Sequence, residues 1–583
     1  VASFDEFFVR ATGHPPYGYQ RRLAADGLPP ALWTPPGTGK TGAILAWLWR
    51  RRHGPDREMT ARRLVFALPQ RTLVEPLADT VERWLANLGL TDEVPLHAVM
   101  GGSGASQGRW RMDPDRTTIV LGTVQELVSK ALLRGYGIPG PIYSIDFALV
   151  TNGAHWVVDE TDLCPQSTAT LRQLVGFAAP DRAGSWPTAE PFGLTRMSAT
   201  APPVPLNTVF RIEPHERVGG LARRWDARRT VRRLDCEPGD HAALAAAVRE
   251  RHRPGTLTLV VVNAVGTARQ VFQALRDMPV ELTLLHPWFR GVEREALVQR
   301  LTGEPAQSDH IVISTAAVEA GVDINATVLI TEAAPWPAMV RRAGRCNRTG
   351  EVVDARLWWL PPAGPAPYEP GDVDAAVAEL TTMEGAEVTG ADLLTRDVVT
   401  TPARVNVPQR PDLLALFDTV PDVDIAPYLR DADDLEAQLS WAHWTPEDAT
   451  GRPPADARAP DVRLRCRAPL AEIRVLAASG KIWRHEPAVG QWTSVSDRAP
   501  ARPGELLLMA AQDGGYDTRI GIAPGLTATV PGCPTVDERP EVAARESGWL
   551  SLRQHSEDVR DAARDLLEVI NPTVAPPVRH AVV

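Results

Sequence analysis

The stretch Thr34-Pro35-Pro36-Gly37-Thr38-Gly39-Lys40-Thr41 brings together the groups that a polyphosphate needs. Glycines at 37 and 39, with Thr38 between them, let backbone N–H groups turn inward around phosphate oxygens. Lys40 adds a compact charge, and Thr41 offers a hydroxyl to Mg²⁺. The commonest form of such a loop has glycine where this chain has Thr34. Composition argues that the lysine is there for a reason: of 62 Lys plus Arg, only Lys40, Lys130 and Lys481 are lysines, leaving 59 arginines. A guanidinium is a poor substitute for a point charge lodged between phosphate oxygens. The expected ligand is a nucleoside triphosphate, ATP.

Carboxylates are the second requirement. Trp156-Val157-Val158 runs into Asp159-Glu160, where a buried strand would deliver one group to help hold Mg²⁺ and another to polarise an attacking water. By this reading Asp159 serves the metal and Glu160 is the catalytic base. Gln20, upstream of the loop, carries an amide able to bond both edges of adenine. Ser198-Ala199-Thr200 closes a later strand with small hydroxyl groups. Farther on, Ser314-Thr315 is followed by Asp323, and Arg341 to Arg348 holds arginines at 342, 345 and 348. On a helix that three-residue spacing would place them on one face. Arg345 and Arg348 are the expected arginine fingers, a device worth roughly 10³ to 10⁵ in rate.

The elements that must position these groups alternate between strand and helix. Ala31-Leu32-Trp33 precedes the loop, and a helix is expected over Gly42 to Trp49. Leu64 to Leu68 is followed by a helix to about Leu88, and Thr118 to Leu121 by Gly122 to Leu127. Phe147 to Val150, His155 to Val158 and Phe192 to Met197 are further expected strands. A second series follows: a helix over Ala242 to Arg251, strand Leu257 to Val262, helix Val265 to Arg276, strand Leu282 to Leu285, and Ile311 to Ser314. The fold class is therefore α/β, with parallel sheets whose functional loops lie at the carboxyl ends of the strands. The basic run Arg223 to Arg233 reads as a linker and strand edge between the two series.

At 583 residues and 44% hydrophobic the chain is long enough for several cores. A formal net charge of −10 excludes an unselective basic coat but not a localised basic groove. No run of about eighteen apolar residues occurs, and Asp5, Glu6 and Arg10 break the N-terminal apolar stretch, so no membrane association and a cytoplasmic location are expected. Five scattered cysteines without CxxC spacing suggest neither disulfides nor zinc. The expected division is 1–215 and 216–362 for two α/β domains, 363–540 for a linker and accessory α+β domain with β-hairpin signals at Glu505 to Met509 and Asp513-Gly514-Gly515, and 541–583 for a terminal helical segment.

The ordered set of Gln20, the loop at 34–41, Asp159-Glu160, Ser198-Ala199-Thr200, Ser314-Thr315 with Asp323, and Arg341 to Arg348 resembles superfamily 2 helicases over about residues 14–350. Gly122 to Leu127, Leu285-His286-Pro287-Trp288-Phe289 and the form of Arg341 to Arg348 resemble, within that superfamily, the CRISPR-associated Cas3 helicase-nucleases. Two positions depart from the pattern: Asp162 stands where histidine is frequent, and Arg341 where glutamine opens the final arginine motif. The resemblance implies two tandem RecA-like domains, ATP and Mg²⁺, 3′ to 5′ movement on single-stranded DNA, and a CRISPR RNA-guided surveillance complex as partner. Trp549 to Val559 is similar to the opening helix of an HD nuclease domain, with His555 in the place of its first metal-binding histidine. None of the 13 histidines is followed by aspartate. A transition-metal centre is therefore expected only as a beginning in this chain, and nuclease activity is not assigned to it. Alternatives to a DNA translocase in CRISPR interference are an RNA helicase or repair translocase without that link, and a nucleotide-gated DNA clamp that recruits a nuclease.

Overall fold

The computed structural model describes residues 3–35, 37–99, 109–135, 142–179, 185–199, 209–302, 309–418, 423–430, 435–446, 450–454, 457, 460–486, 491–496, 498–536, 560, 561 and 564. Its first sheet has seven strands: β1 (Ala31–Trp33), β2 (Arg63–Leu68), β3 (Leu96–Val99), β4 (Thr118–Thr123), β5 (Ala154–Val158), β6 (Phe192–Ser198) and β7 (Val209–Arg211). Their order is β3-β4-β2-β5-β6-β1-β7 and every pairing is parallel. The apolar runs of β2 and β5 are continuous because helices cover both faces of the sheet. Alternate side chains of β2 divide accordingly. Leu64 and Phe66 join one core with Ile44, Val74 and Val81, whereas Val65 and Ala67 join another with Leu127, Trp156 and Leu171.

The second sheet also has seven strands: β8 (Arg229–Arg233), β9 (Leu257–Val261), β10 (Glu281–Leu285), β11 (His310–Ser314), β12 (Val328–Glu332), β13 (Arg356–Leu360) and β14 (Glu387–Val388). Their order is β10-β11-β9-β12-β13-β8-β14, parallel except for β14, which runs antiparallel to β8. Numbered from its own first strand, each sheet reads 3-4-2-5-6-1-7. These are the two tandem RecA-like domains of an α/β chain.

A third, mixed sheet contains β15 (Glu436–Ala442), β16 (Arg465–Pro469), β17 (Ile482–Glu486), β18 (Gln491–Ser494) and β19 (Leu506–Ala510), in the order β16-β15-β19-β17-β18. A short hairpin follows, β20 (Tyr516–Asp517) with β21 (Gly521–Ile522). This hairpin docks on the second domain. Ile522 N donates to Trp288 O at 3.1 Å, Arg290 N donates to the Tyr516 hydroxyl at 2.9 Å, and the Arg269 guanidinium donates to the carbonyls of Ile520 and Ile522. Between β14 and β15 the chain crosses back to the first domain. There Leu413, Leu416 and Leu429 share a core with Leu127 and Leu171, and Ser167 Oγ donates to Leu429 O at 2.7 Å.

Two expectations about elements are corrected. Phe147 to Val150 lies inside the helix Tyr143–Thr151 and not in a strand, because a short apolar run has no period long enough to separate the two forms. Arg342, Arg345 and Arg348 do not share a helix face: the helix Trp336–Ala343 stops at Gly344, and the chain then makes a parallel bridge between Cys346 and Ala326. The terminal helical segment falls mainly outside the described residues, which include helical Arg560, Asp561 and Arg564. Among the described residues no helix is long and apolar enough to cross a membrane.

Candidate active site

β1 ends at Trp33, and Thr34 N extends its ladder by donating to Ser198 O at 3.2 Å. The loop then reverses through Gly37 (φ +80°) and Gly39 (φ +83°), conformations that a side chain would strain. Tyr19 OH donates to Thr38 O at 2.9 Å, and Thr38 Oγ1 donates to Pro35 O at 2.8 Å. Lys40, Thr41 and Gly42 form a single 3₁₀ turn that opens into the helix Ala43–His53, so that helix points its N-terminus toward the loop.

Gln20 is placed differently from expectation. Its Nε2 donates to Gly39 O at 2.9 Å, and its Oε1 accepts from Tyr17 N at 2.8 Å as part of a helix cap. Nε2 braces the loop and Oε1 closes the helix cap, so both ends of the amide are engaged in this arrangement. The reason is local: Gln20 stands three residues after the cap residue Tyr17, where its side chain folds back onto the free backbone N–H.

β5 brings the acidic pair to the lysine. Lys40 Nζ lies 2.6 Å from Glu160 Oε1 and 3.4 Å from Asp159 Oδ1. Burial disfavours the Lys40 charge, but the two carboxylates outweigh it and hold the ammonium above its usual range. Burial pushes Asp159 up. For Glu160 burial acts in the same direction, yet Lys40 and then Arg341 and Arg345 overcome it and hold the carboxylate below its usual range. Glu160 itself adopts φ +48°, and its Oε2 is buried with no hydrogen-bond partner. A strained backbone and an uncommitted oxygen beside the loop are what a group awaiting a ligand would show. Thr41 is partly buried on the same turn as Lys40.

The second domain supplies arginines with distinct placements. Arg342 is fully buried: Nε donates to Glu319 Oε1 at 2.8 Å, Nη1 to Glu332 O at 2.9 Å, and Nη2 to Asn263 Oδ1 at 3.0 Å. Arg345 donates to Glu319 O at 2.6 Å and Val318 O at 3.1 Å, and burial together with Arg348 pushes it down to about 9. Arg348 reaches the loop. A Cβ added at Gly37 would sit 3.6 Å from its Cζ, its Nε pairs with Asp323 Oδ1 at 2.5 Å, and its Nη1 is buried without a partner. Asp323 thus holds an arginine, and its own carboxylate is largely exposed. Thr315 Oγ1 is another buried oxygen without a partner.

One contact was not anticipated. Arg224, on the helix Gly220–Trp225, donates from Nη1 to Gly37 O at 2.7 Å. The only sequence signal was the basic run at 223–233, whose spacing does not say what it touches. Thr200 and His555 lie outside the described residues. Among those described, no group of three or more His, Cys, Asp or Glu is arranged to hold a metal.

A cavity of about 230 Å³ opens where the two domains meet the third sheet, lined by Arg71 and Gln125 from helices of the first domain, Phe289 and Arg294 from the second domain, and Arg465, Arg467 and the latter's partner Glu436 from the third sheet. Burial and then repulsion from Arg467 push Arg294 below its usual range, and its Nε is buried without a partner. Positive charge gathered in this way favours an anion.

Comparison with known proteins agrees with this geometry. A family model described as CRISPR-associated nuclease/helicase Cas3, C-terminal, matches residues 254–351. The CRISPR-associated helicase Cas3 of Thermoproteus tenax is 30% identical over 116 residues, 20% of this chain and 20% of that protein. A putative CRISPR-associated nuclease/helicase Cas3 of Methanocaldococcus jannaschii is 26% identical over 107 residues, 18% of this chain and 15% of that protein. The matched segment therefore spans a fifth or less of the length of these relatives. The fold is similar to the crystal structure of T. fusca Cas3-ATP, with TM-score 0.59 and 15% identity over 88% of this chain and 69% of that one. It is also similar to the DUF1998 helicase MrfA bound to DNA and AMPPNP, with TM-score 0.50 and 12% identity over 87% of this chain and 72% of that one. Family model, curated relatives and fold point the same way, and the chain resembles the CRISPR-associated Cas3 helicases.

Proposed function

We propose that this chain is an ATP-hydrolysing motor of superfamily 2 that moves 3′ to 5′ on single-stranded DNA, loaded by a CRISPR RNA-guided surveillance complex. The observation that carries the reading is the pairing of Lys40 with Asp159 and Glu160 at a loop that Arg348 of the second domain already touches. Residues 1–215 form the first motor domain. The second begins at 216 and extends past 362 through β14, since that strand pairs with β8. The third sheet with its hairpin is the accessory part, and the arginine-lined cavity is the place for the DNA phosphates.

A magnesium ion fits the donor set, because Thr41, next to Lys40 on the loop, and Asp159, 3.4 Å from Lys40 Nζ at the end of β5, are hard oxygen groups. When bound it neutralises charge on the β- and γ-phosphates. Lys40 exchanges its carboxylate partners for phosphate oxygens, which frees Glu160 to take a proton from the attacking water. Arg348 approaches from the second domain and stabilises charge on the transferred phosphoryl group. Hydrolysis thereby depends on the two domains closing.

The test is ATP turnover with and without single-stranded DNA. Lys40→Ala is expected to abolish turnover while DNA binding persists. Undiminished turnover in that variant would overturn the site. ATP binding without turnover in the unaltered protein would favour a nucleotide-gated clamp.

A further inference from the structure

At the edge of the first sheet opposite the nucleotide loop lies a cavity of about 430 Å³, a volume that takes a whole small molecule. It opens at the amino ends of β5 and β6, where His155 and Gly193 are each the second residue of their strand and stand side by side in register. Leu28, Trp47, Met59 and Phe192 supply apolar and aromatic walls. Met59 is 73% exposed, and its flexible thioether can move to fit what enters.

The charged groups of this cavity are already matched. Arg50 Nη2 donates to Asp56 Oδ2 at 2.8 Å and Nη1 donates to Ala24 O at 3.3 Å, while Trp47 Nε1 donates to Ala61 O at 3.1 Å. Nδ1 of His155 is not matched. Thr195 Oγ1 gives its proton to Pro29 O at 2.6 Å, so across the 2.9 Å to His155 Nε2 it can only accept, and the ring proton sits on Nε2. Burial pushes the ring down to about 4, which keeps it neutral at pH 7 and leaves Nδ1 as a bare lone pair. No described residue donates to that atom, and it is not among the sealed polar atoms of the fold. A Cβ at Gly193 would stand 2.6 Å from it. Gly193 has no left-handed φ that would call for glycine, so what the missing side chain provides is the opening beside the lone pair.

We infer that this cavity is a second ligand site, for a neutral, planar aromatic small molecule that donates an N–H to His155 Nδ1. Neutrality follows from the pairing of Arg50 with Asp56 and from the uncharged imidazole, which leave no charge for an ionic ligand to meet. The aromatic character follows from the flat faces of Trp47 and Phe192. The donor follows from the lone pair, which a purely apolar occupant would bury unpaired. None of these residues is placed in the hydrolytic site, so the inference stands or falls independently of the motor reading.

The probe is indole, with benzofuran, the same fused ring bearing oxygen in place of the N–H, as its control, each titrated by calorimetry into the full chain. Indole is expected to bind with a Kd of about 1 mM or below, and benzofuran about 10-fold more weakly because it leaves Nδ1 unpaired. In protein carrying isotope-labelled histidine, the Nδ1 resonance of His155, assigned by its loss in His155→Gln, is expected to shift with indole and to stay in place with benzofuran. Gly193→Ala, which sets a methyl group against the lone pair, is expected to weaken indole by at least about 10-fold. If the melting temperature shows that this variant does not fold, the indole and benzofuran titrations of the unaltered protein decide alone. Equal affinity for the two rings, no binding at about 5 mM indole, or unchanged indole binding in a folded Gly193→Ala overturns the site.

Discussion

Two sheets with the same strand order do different work in this molecule. β1 runs into the loop of Gly37, Gly39 and Lys40, whereas its counterpart β8 runs into Leu234-Asp235-Cys236, with no lysine before the next helix at His241. β5 ends beside Asp159-Glu160 and its counterpart β12 ends in Thr331-Glu332. The glutamates stand at the ends of corresponding strands, Glu160 two residues past β5 and Glu332 the last residue of β12, but do not share a set of partners. Glu160 leaves one oxygen uncommitted beside Lys40, while Glu332 Oε2 accepts from Asn263 N at 2.6 Å and its backbone carbonyl accepts from Arg342. Topology thus brings strand ends to one edge, and the partners found there decide which become reactive and which become structural.

The comparison is most sharply tested where the second domain crosses to the first. Arg348→Ala is expected to lower DNA-stimulated ATP turnover by roughly 10³ to 10⁵, since of Arg342, Arg345 and Arg348 it is Arg348 whose guanidinium lies against Gly37. A loss below about 10-fold, measured as kcat under saturating ATP, would make it a packing residue and return the finger role to Arg345. Next in size is Glu160→Gln, expected to reduce kcat by roughly 10² to 10⁴ while nucleotide still binds. Glu332→Ala should behave in the opposite way. It leaves the Asn263 N–H without an acceptor, costing about 1–3 kcal/mol in urea unfolding, while turnover stays within a few-fold. If turnover collapsed in Glu332→Ala and not in Glu160→Gln, the assignment of chemistry to the first sheet would fail.

Local signals carried much of this site in the sequence. The loop and the acidic pair are readable because each follows an apolar strand and each is contiguous, so Lys40, Asp159 and Glu160 are placed at strand ends, although not as the ends of β1 and β5 that flank β6. Arg348 was readable as a residue type but not as a position, since the helix expected to display it ends at Gly344. The strand expected at Phe147 to Val150 failed for want of length. Gln20 was recognised, but its turn toward Tyr17 and Gly39 depends on how a cap closes in three dimensions. Arg224 and the ion pair of Asp162 with Arg341 were invisible as contacts, because their partners lie 187 and 179 residues away in sequence. No periodicity encodes such a pairing. The identical order of the two sheets was equally hidden, because apolar strands announce themselves but not their neighbours.

The smallest expected effect concerns another asymmetry, the docking of the third sheet at the end of β10. His286 there is buried, with Nδ1 accepting from Trp288 N at 3.1 Å and Nε2 3.0 Å from Ile520 O, so the neutral ring with a proton on Nε2 satisfies both contacts. Burial, and then the neighbouring Arg269, push it down to about 3. In the unfolded chain the same ring titrates at about 6.5, so between those values the unfolded state binds a proton that the folded state refuses. Stability is therefore fully present above about pH 6.5 and declines as pH falls toward 3, at up to about 1.4 kcal/mol per pH unit for this group. The first domain has its own buried neutral ring in His155, pushed down to about 4 by burial. His286→Asn should lower stability at neutral pH through the lost Ile520 contact, but flatten the acid dependence by one proton in unfolding measured from pH 7.5 to 5. An unchanged slope in that variant would move the acid sensitivity to His155, and would mean that the third sheet is held on the second domain by Arg269, Tyr516 and the Trp288 backbone without help from the ring.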